Sequence, residues 1–337
     1  MKSVLMSLIL AFSVLGCSSK SKNASGLDER DAQRLEDFEE AMKDLSYENY
    51  SSASSRLETL LNEEPISELD LVIMYNSGVA LEGMESCQKA AERYRSVARL
   101  ANKKFDKISA LALYRLGFVY SCLGEPQKSV VSFLDARKKI KYLPPEVGTA
   151  ELPARLAAAY ASLGRQKEAL HYFNEASGGL KRILAGAKRQ DSDIDLAAKT
   201  LLAMGKISST PHLHPVLFVR MLSMQQPFLL QAAELKSSKV SRKAMEDLIR
   251  AYKEILSFRV PSDLQKEFYV ESLKTTRQLQ KLRLPSTKEY TKDLFKVVDR
   301  TEGLLENRLT QLSKGLSKTP EQKKRESLKR EGKIVGE

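Results

Sequence analysis

The chain has 337 residues, no tryptophan and a formal net charge of +12 at pH 7. It is rich in Ala, Leu, Lys, Glu and Ser and lacks long alternations of β-branched residues, so a β-sheet protein is disfavoured and an all-helical one is favoured. The positive charge indicates an anionic partner or surface, and nucleic acid is one candidate until the location of the chain is considered.

The first 16 residues have the pattern of a secretion signal. Lys2 precedes an apolar run, and small residues then lead to Cys17. The run is well short of the roughly 20 residues that a spanning helix needs, so we do not expect a retained transmembrane anchor. Residues 14–17, Val-Leu-Gly-Cys, resemble a bacterial lipobox, which implies that Cys17 is lipidated and becomes the new N-terminus. An ordinary signal peptide is the alternative.

A flexible tether is predicted for residues 17–30, which are polar and lack apolar periodicity. Acyl chains on Cys17 would hold this tether at a membrane. Ser18 and Ser19 resemble the residues that follow the lipidated cysteine of lipoproteins sent to an outer membrane. The expected location is therefore the cell envelope, at the periplasmic face of the outer membrane in a host that has one. Secretion disfavours nucleic acid as a partner.

An internal repeat of helical hairpins is predicted for residues 31–184. Four copies share two columns of small residues, which are Ala41, Gly78, Gly117 and Ala157, and then Ala53, Ala90, Ser129 and Ala169. Small residues let two antiparallel helices approach closely, and a large residue one turn later fills the remaining space. The pattern resembles the tetratricopeptide (TPR) family, which implies a solenoid. The second column has spacings of 37, 39 and 40 residues, longer than the roughly 34 of the family. An ordinary helical bundle is the alternative.

The rest of the chain keeps helical patterns but loses the repeat register. Residues 185–315 are predicted to form further helical hairpins and a capping helix. Residues 316–337 form a basic tail that is predicted to be disordered. The tail is either simply solvated or contacts anionic lipid, peptidoglycan carboxylates or an acidic partner. The predicted fold class is all-α, a TPR-like helical-hairpin solenoid with a C-terminal helical extension.

The TPR resemblance also implies a concave groove lined by the first helix of each hairpin. Transferred by position, this partner-binding groove presents Phe38, Met42, Tyr75, Asn76, Val79, Tyr114, Arg115, Phe118 and Arg155. Aromatic anchors beside Asn and Arg donors suit the carbonyl groups and carboxylates of a peptide. Asn76 and Arg115 match two positions of the family's carboxylate clamp, whereas Phe38, Met42 and Leu111 replace polar members of that clamp. The alternative is that neighbouring helices or the tether cover these side chains.

Cys87 and Cys122 are the two cysteines other than Cys17. They fall at the start of a second helix and at the end of the next first helix, so they could face each other and form a disulfide in an oxidising compartment. Buried free thiols are the alternative. No metal, cofactor or catalytic site is predicted, because His212 and His214 lack nearby Cys, Asp or Glu ligands and no P-loop, nucleophile elbow or HExxH motif is present.

These features predict a lipid-anchored adaptor of the cell envelope that binds proteins or peptides and is not an enzyme. The sequence does not choose between outer-membrane protein assembly, secretin or pilus machinery and cell-wall machinery. One alternative is a structural spacer between membrane and cell wall. Another is a regulator of, or carrier domain for, a cell-wall hydrolase, although no segment remains to hold the catalytic groups that a hydrolase itself would need.

Overall fold

A computed structural model of the chain describes residues 29–61, 67–101, 104–186, 191–206, 214–235, 238–282 and 289–314. The secretion signal, Cys17, nearly all of the tether and the basic tail lie outside these residues. No helix in the described ranges is long and apolar enough to cross a membrane.

The described residues form helices and connecting turns, with no strand among them. The α-helices are α1 (Glu29–Ser46), α2 (Tyr50–Thr59), α3 (Glu68–Gly83), α4 (Cys87–Leu100), α5 (Asp106–Cys122), α6 (Pro126–Lys138), α7 (Leu152–Ser162), α8 (Gln166–Gly186), α9 (Asp191–Met204), α10 (Pro215–Glu234), α11 (Ser238–Ser257), α12 (Gln265–Lys281) and α13 (Glu289–Ser313). A 3-10 turn, Ile140–Tyr142, and a π-helix, Val147–Glu151, precede α7. The first helix begins at Glu29, two residues inside the segment predicted as tether.

The first eight helices form four consecutive hairpins, α1/α2, α3/α4, α5/α6 and α7/α8. The second helix of each hairpin also packs against the first helix of the next hairpin. Stacking of this kind buries one continuous core along the array, because no hairpin can cover its apolar faces alone. The predicted all-α, TPR-like arrangement of helical hairpins is confirmed.

The columns of small residues mark the places where two helices touch. A Cβ atom added to Gly78 would lie 2.7 Å from the ring of Tyr94, and one added to Gly117 would lie 2.5 Å from the ring of Phe133. In both hairpins the glycine on the first helix faces the aromatic residue sixteen positions later on the second helix. In these two hairpins, the small residue and the large residue of the sequence pattern therefore form the contact between the two helices.

The turns inside the hairpins repeat with the same spacing as the helices. Glu48, Glu85, Gly124 and Gly164 have φ angles of 65°, 60°, 70° and 74°. A side chain costs roughly 1–2 kcal/mol in this left-handed conformation, whereas glycine adopts it without steric cost. The third and fourth turns thus have glycine at this position, which the left-handed conformation favours, whereas the first and second turns have glutamate.

We expect Glu85→Gly to raise the free energy of unfolding by about 0.5–1 kcal/mol, because relief of the left-handed strain exceeds the added flexibility of the unfolded chain. Urea denaturation followed by circular dichroism would measure the change. The matched control is Glu125→Gly, since Glu125 has φ −108° and gains nothing from glycine. A loss of stability at both positions would contradict the prediction.

The described residues fall into two compact units, one ending at Asp247 and the other beginning at Leu248. This division lies inside α11, later than residue 185, where the sequence loses its repeat register. In the first unit, α10 packs along α7 and α9 contacts α8 and the π-helix. The repeat register is lost here because α10 lies against a first helix and does not continue the stack of hairpins.

The second unit contains the hairpin of α12 and α13. Its buried contacts come from Phe268 and Leu279 on α12 and from Leu294, Phe295, Val298 and Leu305 on α13. The Tyr252 hydroxyl, from the end of α11, donates to the carbonyl oxygen of Thr275. The predicted further helical hairpins therefore include a hairpin with its own core.

Candidate functional site

The side chains predicted to line an open groove lie mostly in the interior. Phe38 is 1% exposed and Tyr75 is 2% exposed. Val79, Tyr114, Phe118, Asn76 and Arg155 are also buried, and Met42 packs against the same core as a half-buried side chain. The structure therefore does not present an open row of aromatic side chains. The burial matches the alternative in which neighbouring helices cover these side chains. Whether any of these residues contacts a partner stays a prediction.

Neighbouring helices explain this burial. The Tyr75 ring lies 5.5 Å from that of Tyr94 in the same hairpin, and the Tyr114 ring lies 6.1 Å from that of Phe133. Tyr75 and Tyr114 thus fill the space inside the second and third hairpins. The Asn76 side chain is hydrogen-bonded within the protein, since its Nδ2 donates to the carbonyl oxygen of Val72 in the same helix, 2.8 Å away. Its amide group is not offered to a ligand as a clamp residue would be.

We call the side of the stack formed by the first helices its inner face. A cluster of charged side chains lies there on α3 and α5, with Glu82 at its centre. Glu82 Oε2 lies 3.1 Å from Arg115 Nε and accepts a 3.1 Å hydrogen bond from the Tyr94 hydroxyl. Glu82 Oε1 lies 3.8 Å from Lys206 Nζ. Burial opposes the charge of Arg115, but Glu82 outweighs it and raises the pKa of Arg115 well above its usual value. The Arg115 guanidinium therefore stays charged.

Arg155 fixes the end of α9 across this cluster. Its Nη1 donates to the carbonyl oxygen of Lys206 at 2.6 Å, and its Nη2 donates to that of Ala203. Gln225 Nε2, from α10, donates to the same Lys206 oxygen at 2.8 Å. These carbonyls lie at the C-terminal, negative end of α9, where a guanidinium is favoured by the helix dipole. The position of Lys206 is thus set by buried side chains of α7 and α10.

Lys206 is the accessible member of the cluster. Its side chain is 42% exposed, and its Nζ lies 4.4 Å from the centre of the Phe118 ring. The Arg155 guanidinium lies 5.1 Å from the same ring. Partial desolvation lowers the pKa of Lys206, as do Arg115 and Arg155, while Glu82 opposes the shift. A ligand would reach the charged cluster at this lysine.

Glu151 is a second buried carboxyl group near the cluster. It accepts a 2.9 Å hydrogen bond from the Tyr114 hydroxyl. Glu151 is the last residue of the π-helix, and such single-turn π segments are frequent at functional sites. Burial raises the pKa of Glu151 to about 7, against the opposing effects of Tyr114 and Arg155. The folded chain therefore holds a proton on Glu151 at pH values where the unfolded chain does not.

Replacing this carboxyl group should make stability less dependent on pH. A raised carboxyl pKa contributes stability below pH 4.5, and the contribution is lost as pH rises through about 7. We expect Glu151→Gln to raise the free energy of unfolding by about 2–3 kcal/mol at pH 8 and to change it little at pH 4. Urea denaturation at the two pH values would measure this. Equal effects at both pH values would contradict the assignment.

The cluster has more positive than negative charge. Arg115, Arg155 and Lys206 face two carboxylates, Glu82 and Asp247, while Glu151 is only partly ionised near pH 7. Among the described residues, Arg155 Nε is a buried donor of this region with no hydrogen-bond partner. A carboxylate group on a ligand would complement this charge and accept hydrogen bonds from the cations.

Three members of the cluster, Glu82, Glu151 and Lys206, were not predicted from the sequence. A signal was available for the first of them. Glu82 is an acidic residue near the end of the apolar segment 71–81, and Arg115 is a lone basic residue between apolar ones in the next first helix. Opposite charges in two adjacent apolar helices indicate a buried ion pair. No local pattern distinguishes Lys206, since its role depends on how α9 ends.

The structure joins Cys87 and Cys122 in a disulfide, with the two Cα atoms 6.4 Å apart. The bond connects the first residue of α4 to the last residue of α5. It therefore links the second hairpin to the third. Of the two alternatives left open by the sequence, a disulfide and buried free thiols, the structure has the disulfide.

No group of three or more His, Cys, Asp or Glu side chains in the described ranges is arranged to hold a metal ion. His212 lies outside those ranges. The expectations that the chain needs no metal and is not an enzyme stay predictions.

Comparison with known proteins adds little to this geometry. No protein-family model and no curated protein matches the chain. Among solved structures, the TPR2AB-domain:pHSP90 complex of yeast Sti1 matches with a TM-score of 0.33 and 13% sequence identity, over 84% of this chain and 95% of that chain. A TM-score this low does not indicate a shared partner or function.

Proposed function

We propose that the chain is a lipid-anchored adaptor of the cell envelope that binds protein or peptide partners at the inner face of its hairpin stack. The observation that carries the proposal is the cationic cluster around Lys206, which is supported by buried hydrogen bonds from Arg155 and Gln225. A hairpin solenoid offers an extended surface for a partner chain. No group arranged for catalysis is needed for this role.

The partner is expected to present carboxylates. Arg115, Arg155 and Lys206 outnumber the two carboxylates beside them, Glu82 and Asp247, so an acidic side chain or a C-terminal carboxylate is attracted to this site. Lys206 is the point of entry because it is the accessible cation. This differs from the aromatic row predicted from family positions, in which Tyr75 and Tyr114 were the anchors.

The membrane location is supported by the sequence alone. The lipobox-like residues 14–17 favour lipidation of Cys17, and Ser18 and Ser19 favour the periplasmic face of an outer membrane. Under this proposal the basic tail, residues 316–337, is placed to contact anionic lipid or peptidoglycan. Incorporation of a labelled fatty acid into the wild-type chain, and its loss in Cys17→Ala, would test the anchor.

Photo-crosslinking in cells tests the adaptor role. A photoreactive amino acid at position 206 should give one dominant adduct with another protein, identified by mass spectrometry. The control is the same amino acid at position 131, because Val131 is exposed on α6, a second helix. Equal adducts at both positions, or none at position 206, would remove the support for the site and favour the spacer alternative.

The spacer alternative predicts a different response to mutation. A spacer needs only its length and its anchor, so Lys206→Glu should leave the function of the chain in the envelope unchanged. For an adaptor, the reversed charge repels the carboxylates of the partner, and the function of the chain in the envelope is lost. A role as regulator or carrier for a cell-wall hydrolase would appear as a hydrolase among the adducts at position 206.

A further inference from the structure

The second unit contains a groove between α12 and α13 that is separate from the charged cluster described above. Its volume is about 430 Å³. Val270 and Leu273 on α12 and Leu309 on α13 give it an apolar floor, and Lys274, Arg277 and Lys281 form its rim. Val270 is 46% exposed, although it is a large apolar residue in the middle of a helix.

The groove lies on a second face of α12, which carries both apolar and basic residues. The first face, with Phe268, Ser272, Thr276 and Leu279, is buried. Val270, Leu273, Lys274, Arg277 and Lys281 follow one another at helical spacing on another side of the same helix. The groove thus has the spacing of a helix-binding surface.

The rim of the groove has unpaired positive charge. Arg277 pairs with Glu302 at 3.0 Å and with Glu306 at 2.6 Å. Lys274 and Lys281 form no ion pair within the part of the chain that the structure describes. Residues 248–337 contain 21 Lys and Arg against 13 Asp and Glu. An occupant with acidic flanks would therefore be complementary in charge.

We propose that this groove binds an acidic amphipathic helix of a protein partner, with apolar side chains on the floor and carboxylates against Lys274 and Lys281. A second copy of the chain would bring the same basic rim, and the basic tail has the same sign of charge, so both are disfavoured. A bilayer is flat, whereas the apolar side chains here lie in a recess between two helices. The proposal does not depend on the site at Lys206.

Selection from a displayed library of 18-residue helical peptides tests the proposal on the full-length chain. The apolar positions and the flanking charges would be varied independently. We expect the enriched peptides to carry apolar residues at helical spacing with acidic flanks. Their binding, measured by fluorescence anisotropy, should weaken at least tenfold for Val270→Asp and for Lys274→Glu. Basic or neutral enriched peptides, or no enrichment over an unrelated bait, would overturn the proposal.

A matched control separates charge at the groove from charge in general. Lys107→Glu makes the same change on the exposed surface of α5, in the first unit, and should leave peptide binding within twofold of wild type. Vesicles with anionic lipid and sedimentation of the chain alone test the other occupants. Vesicle binding or self-association that Val270→Asp abolishes, with no peptide binding, would assign the groove to a membrane or to a second copy.

Discussion

Glu82→Leu should lower the free energy of unfolding by about 3–5 kcal/mol, the cost of removing one partner from a buried ion pair. Glu82 is 5% exposed and Arg115 is 16% exposed at their side chains. Without Glu82, the Arg115 guanidinium stays buried without the carboxylate it pairs with, and the Tyr94 hydroxyl loses its acceptor. Urea denaturation at pH 7 would measure the loss, which should appear as a lower midpoint.

Two further variants show whether the cost arises from the buried charge. Glu40→Leu removes an acid that pairs with Arg56 on the surface, where both side chains are about half exposed, so it should cost less than about 1 kcal/mol. The double variant Glu82→Leu/Arg115→Leu removes both charges and should recover part of the stability lost in the single variant. A double variant less stable than Glu82→Leu would show that Arg115 is not harmed by losing Glu82.

The hairpins could be predicted because their contacts are local. Gly78 faces Tyr94, and Gly117 faces Phe133, over the same short distance in sequence. Each pair leaves a pattern of one small and one large residue that repeats along the chain. The positive φ angles at Glu48, Glu85, Gly124 and Gly164 recur with the same spacing, although only the two glycines reveal the turn in the sequence.

The inner face could not be predicted in the same way, because its contacts are distant in sequence. Lys206 reaches Glu82 and Phe118 only because Arg155 and Gln225 hold the end of α9 in place. The family pattern assigns groove positions on the assumption that the next hairpin continues the stack. Here α10 packs along α7. Tyr75 and Tyr114, expected at an open surface, pack against Tyr94 and Phe133 of their own hairpins.

Loss of the disulfide should have the second large effect on stability. Cys87 and Cys122 are 35 residues apart in sequence, and closing a loop of that length restricts the unfolded chain by about 4 kcal/mol in the chain-entropy model. We expect Cys87→Ser/Cys122→Ser to lose about this amount relative to the oxidised wild-type chain. Both proteins would carry Cys17→Ala, so that no other thiol contributes, and urea denaturation would give the difference.

The redox dependence of the same proteins identifies the cause. Reducing agent should lower the stability of the chain that retains both cysteines to near that of the double serine variant, and it should leave the variant unchanged. A titration of thiols in denaturant without reductant should find none in the oxidised chain, and two free thiols would contradict the bond. Because structural disulfides are rare in reducing compartments, an oxidised bond in protein taken directly from cells would also support the proposed location in the envelope.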